Sequence, residues 1–387
     1  MRPLFKILLS LLAVLLIALY IAFNPRPDRP SGALSQQNYR RGPHQVSHQS
    51  IDWVDTARPT AANGDFKGRD SRELKGRIWF PSDKEGGPYP LLIYSHGYMS
   101  EYKEGDYLLD FLASHGYVAV SVNFPLSNGR APGGAVVSDT PNQAGDVAFL
   151  INQMLAGNKQ PDNPLFGRVD AGRIAVLGLS LGGLTTELAA FGPKLKDPRI
   201  RAAISMAGPS VFLTPEFFEG ATIPLMYIGG TADAIVPFPE NAQSIPQKYK
   251  NSVLVALDQG SHVGFAGVAA KFFRWFDNPD KIGCAAVMRA LKKAQEESKT
   301  GKPLPNLGEL IGGPGIDANA STAPCKSNEY PRAMRPARQH ALVTLAAYSF
   351  LESQFSPSEA TRQLMHNYLF SQFAKENPDA TVKPGDM

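Results

Sequence analysis

Cysteine is nearly absent from this chain: Cys284 and Cys325 are the only two among 387 residues, and neither stands in a C-x-x-C or Cys/His grouping. That argues against a cysteine-based metal site. Also missing are H-E-x-x-H, the EF-hand loop pattern, the P-loop and G-x-G-x-x-G, so no metal, nucleotide or dinucleotide cofactor is implied. Charge of one sign is scarce as well. The excess of basic over acidic residues is only +4, with no basic stripe interleaved with aromatics, which speaks against a nucleic-acid partner. No internal repeat is present.

Only one long apolar run occurs. Arg2 and Lys6 lead into a stretch from Ile7 to Phe23 broken only by Ser10, the pattern of an export signal. With no small-x-small cleavage site before Asn24, residues 1–23 read as an uncleaved signal anchor in preference to a cleaved signal peptide. The rest of the chain is then expected at a periplasmic or extracellular face, held at the membrane or secreted. In that oxidising setting Cys284 and Cys325 would pair, the alternative being two unrelated buried thiols. Residues 24–64, rich in Pro, Arg, Gln, Ser and Asn, read as a linker and irregular lead-in, and 65–387 as the folded domain.

Within that domain RELKGRIWFP (72–81) alternates enough for an antiparallel strand, and a Gly/Pro turn follows. Then come short continuous apolar runs: LLIY (91–94), YVAVSVNF (117–124), RIAVLGL (173–179), AAISMAG (202–208), PLMYIGG (224–230) and SVLVALD (252–258). Helical patterns such as DYLLDFLASHG, NQAGDVAFLINQMLAG and GLTTELAAFG separate them. Strands buried on both faces and alternating with helices predict an α/β fold with a mostly parallel central sheet. In such sheets functional groups gather beyond the carboxyl ends of the strands.

One of those ends carries Gly178-Leu179-Ser180-Leu181-Gly182, followed by Gly183 and a helical pattern. A serine between glycines at a strand-to-helix turn is either a helix cap or a nucleophile, and the strand-turn-helix setting favours the nucleophile. A serine hydroxyl needs a base, which in this arrangement follows it in the chain. Of His262, His340 and His366, the last two sit in helical patterns, whereas His262 lies in the loop QGSHVGF just after a strand. The carboxylate that orients it is best sought at Asp233, directly after PLMYIGG, with Asp258, Glu216 and Glu219 as rivals. Two backbone N–H groups should face the oxyanion, from Leu181 and from Tyr98 in the Ser95-His96-Gly97-Tyr98 turn. His96 precedes the serine and reads as a loop-shaping residue.

Phe217 and Phe218 in SVFLTPEFFEG, together with Phe265, are candidates for an apolar substrate pocket, with plain core as the other possibility. From about 266 to 335 an aromatic and basic helical segment and a Gly/Pro-rich stretch read as an insertion after the histidine. The pattern RQHALVTLAAYSFLESQF then returns to the sheet as a helix.

On PLLIYSHGYMS, RVDAGRIAVLGLSLGG, IPLMYIGGTADAIVPFPEN and QGSHVGF the chain resembles the dienelactone hydrolase-like and platelet-activating-factor acetylhydrolase-like branch of the α/β hydrolases, over roughly residues 70–265. The resemblance implies the α/β-hydrolase fold, a triad of Ser180, Asp233 and His262, and Tyr98 and Leu181 as oxyanion donors, with no cofactor. True dienelactone hydrolases use a cysteine nucleophile, and the acetylhydrolases carry their acid after an earlier strand, where this chain has MAGPSVFL. Polyester-degrading hydrolases share the loop tyrosine but carry a tryptophan at that same place. A serine carboxylester hydrolase acting on small or medium acyl esters is therefore expected, with a peptidase, a thioesterase or an inactive hydrolase-fold binding protein as alternatives.

Overall fold

Runs that are apolar at every position need cover on both faces, and they form the middle of a nine-stranded sheet. The computed structural model describes residues 2–23, 28, 30–83, 86–297, 306–326 and 329–386. The strands are β1 (Val46–Asp55), β2 (Arg72–Pro81), β3 (Tyr89–Ser95), β4 (Val118–Val122), β5 (Val169–Leu179), β6 (Ile200–Met206), β7 (Leu225–Gly230), β8 (Ser252–Leu257) and β9 (Ala380–Pro384). They lie in the order β1-β2-β4-β3-β5-β6-β7-β8-β9. Every pairing from β4 across to β8 is parallel, while β1, β2 and β9 join antiparallel at the two edges.

In chain order the helices are α1 (Arg2–Phe23), α2 (Ala33–Asn38), α3 (Asp106–Ser114), α4 (Thr140–Gly157), α5 (Leu181–Phe191), α6 (Ile245–Lys248), α7 (Ala269–Phe272), α8 (Asp280–Glu297), α9 (Leu307–Ile311), α10 (Pro336–Phe355), α11 (Glu359–Asn367) and α12 (Phe373–Glu376). Strand pleating sorts the apolar runs between two cores. Leu91, Ile93 and Val176 pack with Val147, Leu150 and Met154 of α4 and with Leu184 and Leu188 of α5. Leu92, Tyr94 and Leu177 face the other way, onto Leu108 and Leu112 of α3 and Leu342, Leu345 and Phe350 of α10. Each such side chain taken fully out of water contributes about 1.5–3 kcal/mol. The result is the mixed sheet with flanking helices that the α/β-hydrolase resemblance implied.

Two expectations change. The supposed lead-in, 24–64, contains α2 and β1. Strand β1 pairs with β2 along its whole length but buries only Ile51 and Asp55, so as an edge strand it has no apolar run to advertise it. The N-terminal run folds as α1, with its side chains exposed from Phe5 to Tyr20. Among the described residues no helix is long and apolar enough to cross a membrane, so the anchor expectation finds no support. Beyond α10 the chain continues through α11 and α12 into β9, which closes the β8 edge.

Two polar clusters tie outlying segments down. Arg72 of β2 is 0% exposed and bonds both carboxylates of α4 and its approach. Its Nε and Nη2 donate to Asp146 at 2.7 and 2.6 Å, and its Nη1 and Nη2 to Asp139 at 3.1 and 2.8 Å. Arg58 adds a 2.6 Å bond to Asp146. Elsewhere, buried Ser35 of α2 meets Tyr368 Oη at 2.7 Å and accepts from Asn377 Nδ2 at 2.9 Å. The Ser35 N–H donates to Glu376 at 2.6 Å.

The expected disulfide is present, joining Cys284 of α8 to Cys325 with an S–S distance of 2.10 Å and Cα atoms 5.6 Å apart. The bridged residues are 41 apart in sequence, a loop whose closure is worth about 4 kcal/mol on the chain-entropy model. Replacing both cysteines by serine is expected to lower unfolding free energy by about 2–4 kcal/mol in urea titration. A midpoint unchanged from the parent would show that the bridge constrains nothing.

Candidate active site

Ser180 follows β5 directly and opens α5. Its backbone sits at φ 57° and ψ −122°, a conformation that costs an L residue about 1–3 kcal/mol and persists only where the surroundings dictate it. Here they do. The Ser180 N–H donates to the Met206 carbonyl at 2.8 Å, and the Ser180 carbonyl accepts from Leu184 N–H at 3.1 Å as the first turn of α5. A Cβ at Gly178 would strike the Gly182 carbonyl, and one at Gly182 would strike Ser95, so both flanking positions must be glycine for the turn to close. Ser180 is left half-buried at the carboxyl edge of the sheet.

Asp233 and His262 belong to the loops after β7 and β8, at the same edge. The structure brings them together: His262 Nδ1 lies 2.7 Å from Asp233 Oδ2, with both residues buried. A carboxylate only accepts, so Nδ1 carries the proton and the neutral ring keeps its lone pair on Nε2. Asp233 Oδ1 accepts from Ile235 and Val236 N–H at 2.9 and 2.7 Å, which fixes the carboxylate plane. Burial works against a charged imidazole, but the Asp233 carboxylate outweighs it, aided by Asp280 and Glu104, and His262 is held above its ordinary 6.5.

The rivals are otherwise occupied. His340 is buried, stacked 3.9 Å from Tyr107, donates to the Ala266 carbonyl and is pushed down to about 4 by burial. His366 is exposed on α11. Asp258 is exposed beside Thr231, and Glu216 and Glu219 are exposed on the loop after β6.

The turn after β3 lies against Ser180, since a Cβ on Gly97 would come within 3.3 Å of the serine Cβ. His96 shapes this turn: it accepts from Phe124 N–H on Nε2 at 3.0 Å and donates from Nδ1 to the Gly97 carbonyl at 2.7 Å. Burial pushes it down to about 4, so it stays neutral. The Gly97 N–H is held by Glu104 at 2.9 Å, and the Tyr98 hydroxyl by the Ala135 carbonyl at 2.7 Å. By contrast, neither the Tyr98 N–H nor the Leu181 N–H is hydrogen-bonded to another described residue.

The three phenylalanines, which the sequence offers as pocket walls or as core, are all buried. Phe218 stacks 5.1 Å from Tyr249 and meets Phe191 edge-on at 5.2 Å, with Phe217 against it, all within the α4 and α5 core. Phe265 is buried in the core beneath α3 and α10. In this structure all three pack against neighbouring apolar side chains.

Two buried carboxylates escaped the sequence reading. Glu104, pushed up to about 7 by burial, accepts from Tyr94 Oη at 3.0 Å as well as from Gly97. Asp280 of α8 touches both the Asp233 and the His262 loops. Asp280 is satisfied by backbone N–H groups and Glu104 by one backbone N–H and the Tyr94 hydroxyl, pairings that leave no trace in residue spacing. Among the described residues no group of His, Cys, Asp and Glu could hold a metal ion.

The chain is similar to known proteins over much of its length. A family model described as PET hydrolase-like matches residues 33–276. A cutinase of Thermobifida fusca (strain YX) is 28% identical over 260 residues, covering 65% of this chain and 72% of that protein. Cutinase 1 of Thermobifida cellulosilytica is 26% identical over 245 residues, 61% of this chain and 78% of its own length. A bis(hydroxyethyl) terephthalate hydrolase of Streptomyces coelicolor is 24% identical over 226 residues, covering 57% and 60%.

Proposed function

Because the chain belongs to the PET hydrolase-like family, within the dienelactone hydrolase-like branch of the α/β hydrolases, we propose that it is a serine carboxylester hydrolase working through an acyl-enzyme on small or medium acyl esters. The observation that carries the proposal is the buried 2.7 Å pair of Asp233 and His262, set at the same sheet edge as the strained turn of Ser180.

In this reading His262 Nε2 takes the proton of Ser180 Oγ as the oxygen attacks the ester carbonyl carbon. The carbonyl π electrons move onto oxygen, and the Tyr98 and Leu181 N–H groups, bonded to nothing else among the described residues, donate to that oxyanion. Collapse expels the alcohol, which leaves with the proton from His262. Water then attacks the acyl-enzyme as His262 accepts its proton, and collapse of that second oxyanion breaks the bond to Ser180 Oγ, which takes the proton back from His262 as the acid leaves. Asp233 keeps the imidazole in the required tautomer throughout and stabilises its charged form.

The cutinase and terephthalate-ester relatives support carboxylic esters over amides and thioesters as substrate class. The tryptophan sought after β6 is absent, Ala207-Gly208-Pro209 standing there, which favours a general esterase over a polyester specialist. The disulfide and the apolar N-terminal run support export to a periplasmic or extracellular face.

A fluorophosphonate probe is expected to add once per chain, with peptide mass mapping placing it on Ser180, and p-nitrophenyl butyrate to be cleaved far faster than matched thioesters or peptides. A hydrolytically active protein that takes the probe elsewhere would overturn the assignment; an inert, unlabelled one would indicate a binding scaffold.

A further inference from the structure

The first turn of α8 reaches the loops carrying Asp233 and His262, and it lies beyond residue 276, where the family match ends. Asp280 is 0% exposed there. Its Oδ2 accepts from Ala234 N–H at 3.0 Å and from His262 N–H at 2.9 Å, and its Oδ1 from Val263 N–H at 2.7 Å. An aspartate that opens a helix ordinarily accepts from N–H groups of its own first turn. This one holds instead the residue after Asp233, His262 itself and the residue after that.

The same turn grips the acid loop a second time. Cys284 is bonded to Cys325, whose N–H donates to the Ala234 carbonyl at 2.7 Å, so both polar groups of Ala234 are held from this side. Between Asp280 and Cys284, Gly283 lets the helix come close: a Cβ there would meet Val263 Cγ2 at 2.5 Å and Ile235 Cδ1 at 3.0 Å. Asn278 steadies Asp280, accepting its N–H at 2.9 Å while donating to the Pro331 carbonyl at 2.8 Å.

We propose that Asp280 is a positioning residue for ester hydrolysis: its three backbone hydrogen bonds lock the Asp233 and His262 loops in one register, and its charge supports the imidazolium formed during proton transfer. This rests on the assignment of Ser180, Asp233 and His262 given above. The titratable groups acting on His262 are Asp233 from the loop after β7, Asp280 from α8 and Glu104 from the segment before α3. Burial lowers the imidazole, and these three carboxylates together hold it above 6.5. Burial, with Asp233 adding to it, pushes Asp280 up to about 6, so at neutral pH its charge is in place. The base must be neutral to act, so the acid limb of kcat/KM follows the imidazole, and removing a neighbouring negative charge moves that limb to lower pH.

The test is Asp280→Asn in the full-length protein, which keeps the volume, removes the charge and turns one acceptor into a donor facing N–H groups. On p-nitrophenyl butyrate kcat should fall by about 10- to 100-fold with KM within about twofold, and the acid limb should shift downward. Asp280→Glu, which keeps the charge on a longer stem, should leave the limb where it is while kcat still falls. Should the asparagine variant fail to fold, the glutamate variant carries the test through kcat and the pH limb alone. Either variant folding with parental kcat and an unmoved limb, even at a lowered melting temperature, would overturn the proposal. Fluorophosphonate labelling of the parent, run alongside, separates the failures. A labelled, active parent matched by its variant sinks only the role of Asp280, whereas an unlabelled parent sinks the triad.

Discussion

Ser180→Ala is expected to cut kcat on p-nitrophenyl butyrate by about 10⁴- to 10⁶-fold, because every covalent step of the proposed cycle passes through that hydroxyl. The fold should not suffer. Ser180 contributes a backbone N–H to Met206 and a carbonyl to Leu184, both of which alanine supplies equally. Ser180→Gly should lose as much activity while gaining about 0.5–1 kcal/mol of stability, since φ 57° suits glycine and strains any L side chain. Pairing the two variants distinguishes chemistry from architecture: rates fall together while stabilities diverge. Activity in either variant within tenfold of the parent would place the nucleophile elsewhere.

The largest stability effect is expected far from that chemistry. Arg72→Met should lower unfolding free energy by about 3–5 kcal/mol, measured by urea titration at neutral pH. The guanidinium is 0% exposed and makes four bonds to Asp139 and Asp146, whose side chains are 1% and 0% exposed. Burial already pushes the Asp146 carboxyl up against the opposing pull of Arg72. Without Arg72 two carboxylates would stand close together out of water, with only Arg58 still reaching Asp146 at 2.6 Å. One or both would have to take up a proton or be exposed by moving α4 off β2. Changing Asp139 and Asp146 to Asn in the same chain should restore part of the loss, because the penalty comes from stranded charge more than from lost contact. A loss below about 1 kcal/mol for Arg72→Met would show that water reaches the cluster.

What could be read from the letters follows from what each element must bury. Strands β3 to β8 announced themselves because helices cover both their faces and each carries a short, nearly unbroken apolar run. Strand β1 did not, since at the edge it buries little and VSHQSIDWVD looks like a loop. Ser180 stood out because a strand must stop, turn and become a helix within a few residues, and only glycines allow that. His262 was distinguishable from His340 and His366 by lying in a loop after a strand instead of within a helix. The phenylalanines after β6 could not be placed, as an aromatic cluster is written alike whether it lines a pocket or fills a core. Glu104 and Asp280 were invisible for a different reason: Asp280 is held by peptide groups, which every residue has, and Glu104 by a peptide N–H and a tyrosine hydroxyl that only the fold brings to it.

The contacts of Ser35 bear on how the sheet opens. The segment leading into β1 and the segment leading into β9 belong to opposite edges, eight strands' spacing apart, yet a single hydroxyl and a neighbouring carboxylate join them. Opening of one margin is therefore expected to disturb the other, and hydrogen exchange should show β1 and β9 losing protection together while the parallel centre exchanges last.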